Sequence, residues 1–297
     1  MKFVIVTIAF GLLCACHSGP KADKTEQSVK TAGVAESSFN YDLSKPAQKW
    51  VLPKELKEIS GCTWIDKNHL LVIEDLHPNL YLLRLDEQPV IEKVIPFQQD
   101  NNDKKFDIED VTIANNTVYA LWSHGVIYKI TNWQGQPQVK QLPTSLNKKN
   151  NTEGICFDPV SGNLLIACKD ESDLTDEKKS TRAIYAFDIQ KENMIEEPFL
   201  TLHKKDFKSM ENDKIEFFPS AIAVHPVTHD IYVLSTRDTK CMAQYSHDGK
   251  LKGFQYINRD EMLQPEGICF APDGTLYISS EGKHGEHASI FRFNYKK

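Results

Sequence analysis

Beyond about Tyr41 the apolar residues fall into short β-branched and aromatic runs, separated by clusters of Asp, Asn, Gly and Pro. Amphipathic helix periodicity is nearly absent. Five segments share one pattern: Glu58–Trp64, Asp107–Ile113, Asn151–Phe157, Phe218–Val224 and Gln264–Phe270. Each opens on polar or acidic positions, passes through a small or acidic residue and becomes an apolar strand. A turn and two further strand-like runs follow, as in Leu164–Ala167 and Ala183–Phe187.

The third residues of these segments are Ser60, Glu109, Glu153, Ser220 and Glu266, at intervals of 49, 44, 67 and 46 residues. A unit of about 40–50 residues accommodates four short strands, the size of a propeller blade. The longest interval holds one blade plus a charged insertion around Asp170–Lys179 and a polar stretch, His203–Glu216. The pattern predicts an all-β fold, a five-bladed β-propeller over residues 41–297. An N-terminal strand, Gln48–Leu52, would complete the last blade and remove the exposed sheet edges. Six blades are the alternative and would require a repeat with no visible motif.

The first 15 residues differ in kind. One lysine precedes an apolar run too short for a stable membrane anchor, the pattern of a secretory signal peptide. Its end, Leu13-Cys14-Ala15-Cys16, resembles a bacterial lipobox, which implies cleavage before Cys16 and lipidation of its thiol. Residues 16–40 are polar and rich in Gly, Pro, Ser and Thr, a flexible linker by composition. The expectation is a protein of the bacterial cell envelope, held to a membrane by its N-terminal lipid and facing periplasm or cell surface. Among the 297 residues, 35 basic and 41 acidic side chains give a net charge of −6. That balance offers nothing to nucleic acid. A monomer is expected, with a small molecule or protein as partner. Five cysteines remain after the lipid site, without zinc-finger or CxxC spacing. Only Cys156 and Cys168 suggest a meeting across neighbouring strands.

From about Pro53 to Asn294 the chain resembles the SdiA-regulated (YjiK-like) β-propeller family. The resemblance is carried by Glu58–Gly61, Asp107–Asp110, Asn151–Ile155, Gln264–Phe270 and the Pro272-Asp-Gly274 turn. It implies a propeller at the envelope and little chemistry. The last blade also looks like blades of the gluconolactonase and paraoxonase type, families that hold calcium at the propeller axis with carboxylate and amide oxygens.

Antiparallel pairing places the start of each inner strand beside the end of the second strand, on one rim of the ring. That rim collects the ligand-binding candidates Glu58, Glu74, Asp75, Trp122, His124, Lys169, Asp170, Arg237 and Glu281, with Asp110 among its acids. The equivalent carboxylates Glu109, Glu153 and Glu266 are the metal candidates. At about 10 Å and an effective dielectric near 20, each like-charge pair costs about 1.7 kcal/mol. This favours a cation, and calcium suits oxygen donors. Structural pairing with Lys169 and Arg237 competes with that reading. No GxSxG, P-loop or HExxH pattern occurs. Binding through an acidic rim, with calcium as a candidate occupant, is therefore the leading function. The alternative is a calcium-dependent hydrolase of lactones, esters or phosphoesters.

Overall fold

The computed structural model describes residues 39–98, 106–172, 181–208, 215–283 and 285–296. The leader, Cys16 and the linker up to residue 38 lie outside the described residues. Among those described, no helix is long and apolar enough to cross a membrane.

Among the described residues, twenty strands form five four-stranded antiparallel sheets. The inner strands of blades one to five are Ile59–Asp66, Ile108–Ala114, Thr152–Asp158, Pro219–Val224 and Gln264–Phe270. Each touches the next around the axis, and the fifth touches the first, so the ring is closed. Five blades replace the six-blade alternative. Closure follows the expected device: Gln48–Val51 pairs with Ser289–Phe293 as the outermost strand of blade five, with Trp50 opposite Ile290. The long third interval contains an 11-residue outer strand, Asn193–His203, and one helical turn, Lys204–Lys208. Phe207 of that turn stacks on Phe217 with ring centroids 4.8 Å apart.

The core is divided into five apolar clusters, one at each interface between adjacent blades. Both faces of every blade are therefore covered. This explains why second strands such as Leu70–Ile73 and Leu164–Cys168 read as unbroken apolar runs rather than alternating ones.

The segment before the closing strand is also packed. Phe39, Tyr41 and Leu43 are buried between blades four and five. The Tyr41 hydroxyl donates to the Gly274 carbonyl at 2.5 Å, and the Lys296 amide donates to the Asn40 carbonyl at 2.9 Å. Tyr41 also lies against His225 and Phe270, at the far ends of the inner strands. The suggested meeting of Cys156 and Cys168 does not occur. Cys156 pairs with Leu165 and Cys168 with Thr152, which puts them at different heights on the two strands.

Candidate functional site

Every inner strand loses register at the same place. The ladder to the second strand shifts between Ile59 and Cys62, Ile108 and Asp110, Thr152 and Gly154, Pro219 and Ala221, and Pro265 and Gly267. The residues skipped include Ser60, Glu109, Glu153, Ser220 and Glu266, the third position of each motif. A bulge leaves its extra residue unpaired and re-aims its side chain. The five-fold bulge thus explains how three glutamates from blades two, three and five reach one neighbourhood.

Near them lies an ammonium. Lys169, just past the second strand of blade three, places Nζ 2.8 Å from Glu153 Oε2. Asn151 donates from Nδ2 to the other carboxylate oxygen at 2.8 Å. Asn151 itself has φ +49°, a left-handed conformation that asparagine tolerates better than most residues. Glu153 and Glu266 are buried, while Glu109 is partly exposed. Burial is the main reason that all three carboxyls titrate above the usual range. The charge of Lys169 opposes that shift in each, and the neighbouring carboxylates add to it. Glu266 is pushed up to about 8. Conversely, Glu153, Glu266 and Glu109 hold the Lys169 pKa above its ordinary value against its own burial.

The sequence points to calcium among these carboxylates, and their arrangement is a different one. Lys169 already pairs with Glu153, and among the described residues no group of three or more His, Cys, Asp or Glu is placed to hold a metal ion. As arranged, the donors do not fit a calcium shell.

Around this centre the rim has two characters. On the side of blades five and one, Glu58, Asp75 and Glu281 approach one another. Burial, then the neighbouring carboxylates, pushes Asp75 up to about 6 and Glu281 up to about 7. Asp75 Oδ1 is buried without a hydrogen-bond partner, and Glu58 pairs with exposed Lys57 at 2.8 Å. On the side of blades three and four, Arg237 pairs with Asp170. The guanidinium groups of Arg237 and Arg182 lie 4.2 and 4.5 Å from the Phe218 ring centroid. Arg182 is absent from the sequence-predicted rim because it sits in a third strand, Thr181–Asp188. A lone arginine within a strand gives no signal that it will reach the rim.

Four other candidates are placed differently. Glu74 is turned into its own loop, where it accepts from the amides of Leu76 and His77 at 3.0 Å and from the Tyr81 hydroxyl at 3.1 Å. Trp122 stacks on His124 with centroids 5.2 Å apart at 12°, a flat apolar edge beside the mouth. Asp110, grouped with the rim acids by sequence, lies one position deeper and is fully buried. It accepts from the Val111 amide at 2.8 Å and from the Ile155 amide at 2.9 Å, which ties blade two to blade three. Gly61 leaves room for it, because a Cβ there would stand 2.3 Å from Asp110 Oδ1.

The opposite end of the axis is a cavity of about 320 Å³. Trp64, Ile113, Phe157, Val224 and Phe270, the seventh positions of the five motifs, contribute to its wall.

The model of the SdiA-regulated family matches residues 37–284. No curated protein matches the sequence. Among solved structures, glutaminyl cyclase from Myxococcus xanthus superposes with a TM-score of 0.55 at 12% identity, covering 85% of this chain and 96% of that one. The PQQ-bound aldose sugar dehydrogenase from Streptomyces coelicolor gives 0.51 at 10% identity, covering 84% and 97%. At such identities these two share a fold with the chain, and their chemistry is their own.

Proposed function

The chain belongs to the SdiA-regulated family, and from that premise we propose that it is an envelope-anchored binding propeller whose glutamate mouth takes a cationic ligand. One observation carries the reading: Glu109, Glu153 and Glu266, from three blades, all act on the ammonium of Lys169, which is ion-paired with Glu153 at 2.8 Å. Carboxylates outnumber the cation, and burial keeps protons on part of the set. A ligand bearing positive charge would displace those protons and gain charge-assisted hydrogen bonds in a site of low dielectric. Partly exposed Trp122 and Phe218 supply flat surface beside the mouth for the remainder of such a ligand.

Titrating the full chain with putrescine tests this through the melting midpoint. The diamine should raise it more above about pH 8, where Glu266 has lost its proton, than in mild acid. Glu153→Gln should weaken the response. No shift in any buffer overturns the reading. The anchor has its own test: Cys16→Ser should move the protein from the membrane fraction to the soluble one.

Glu266 favours a second reading. A carboxylic acid pushed up to about 8 carries a proton to give at neutral pH, as a general acid in ester or lactone hydrolysis requires. Turnover of an aryl ester or lactone panel that Glu266→Gln abolishes would support it, and absence of turnover would remove it.

A further inference from the structure

Two thiols meet where the two ends of the ring come together. Cys62 lies in the inner strand of blade one and Cys269 in that of blade five, 207 residues apart in sequence, with their sulfurs 3.6 Å apart. Both side chains are buried, and neither sulfur is in a disulfide. The strands that carry them approach closely just above the pair. A Cβ on Gly267 would stand 3.0 Å from Gly61 Cα and 2.6 Å from the Ser60 carbonyl oxygen. Both cysteines also line the apolar cavity at this end of the axis, beside Trp64 and Phe270, so a small reagent has a route to them. Bond formation would bring the sulfurs from 3.6 Å to about 2.05 Å.

We propose that Cys62 and Cys269 are a modification site, oxidised to a disulfide that staples blade five to blade one. The closing strand Gln48–Val51 joins the chain ends at the outside of blade five, and this bond would join them at the axis. The oxidant is a disulfide of low molecular weight or a dithiol oxidase. One cysteine thiolate attacks a sulfur of the oxidant and expels a thiolate, giving a mixed disulfide. The second cysteine, as thiolate, then attacks its neighbour's sulfur and expels the other half. Two protons leave the protein, two electrons pass to the oxidant, and the oxidant ends as two thiols. Burial holds the Cys269 thiol well above its ordinary pKa. Exchange on the folded protein should therefore be slow at neutral pH and faster in alkali, and it should be fastest during folding, before the last blade seals the pair.

The test uses the full chain, refolded with oxidised glutathione, then alkylated under denaturing conditions without reductant and digested. The expected product is a Cys62 peptide linked to a Cys269 peptide, lighter than the separate pair by two hydrogen atoms and split by reductant. The oxidised protein should melt several degrees above the reduced one. Cys62→Ser should remove both the link and the difference, and Cys156→Ser should remove neither. The comparison of oxidised with reduced wild-type protein stands if a variant fails to fold. Recovery of both cysteines as singly alkylated or glutathionylated peptides, or a link from either one to Cys156, overturns the proposal.

Discussion

At the end of the axis where the inner strands begin, three glutamates act on Lys169, and Glu153 is ion-paired with it. At the end where they finish, Trp64, Phe157 and Phe270 help to wall a cavity of about 320 Å³. The same five strands build both ends, four residues apart. The difference lies in the bulge. Before it, the third residue of each motif is released from the ladder and turned to the axis, so blades two, three and five can bring acids together. After it, side chains alternate along the strands, so the seventh position of each motif presents a partly exposed apolar surface. One backbone irregularity, repeated five times, gives the ring a polar and an apolar end.

The strongest way to break this contrast is to remove the ammonium. Lys169→Met should cost about 3–5 kcal/mol at neutral pH, because it leaves buried carboxylates uncompensated. The loss should shrink in mild acid, where the carboxyls take up protons. Denaturant unfolding at both pH values checks this, and an equal loss at each would mean that the glutamates are not what Lys169 compensates.

A comparable effect concerns the wild type. The Glu266 pKa is raised in the folded state, so the folded protein binds the proton more tightly than the unfolded chain does. Its contribution to stability is fully present below the ordinary carboxylate range and is lost as pH rises towards about 8. Every tenfold difference in proton affinity between the folded and unfolded states is worth about 1.4 kcal/mol. The slope should therefore be visible in a pH series of unfolding curves, and Glu266→Gln should flatten it.

Gly61→Ala comes next, at about 1–3 kcal/mol, because the added methyl meets Asp110 backbone and carboxylate at once. The smallest change belongs to the apolar end. Phe157→Ala should cost about 1–2 kcal/mol, since that ring is only partly buried, and should leave the pH profile untouched. A pH-dependent loss there would mean that the two ends are coupled.

The propeller is legible because its repeat is carried by chemistry that recurs: the third-position serines and glutamates, the turns after them and the apolar runs between. The convergence of Glu109, Glu153 and Glu266 follows from equivalence of position alone. Three things do not follow. Lys169 is visible as a rim residue, but nothing in a linear pattern says that its ammonium reaches the axis. Asp110 looks like one more rim acid, because the bulge that separates positions three and four leaves no mark in composition. Cys62 and Cys269 belong to blades 207 residues apart, and their meeting depends on how tightly the glycines let the strands approach.

The strap from Phe39 to Leu43 starts beside Gly274 and His225, and Lys296 lies next to it, so both described chain ends emerge at the cavity side of the ring. Immobilisation through either described end of the propeller, on a sensor chip or by fusion to a carrier, should therefore leave the glutamate mouth facing solution.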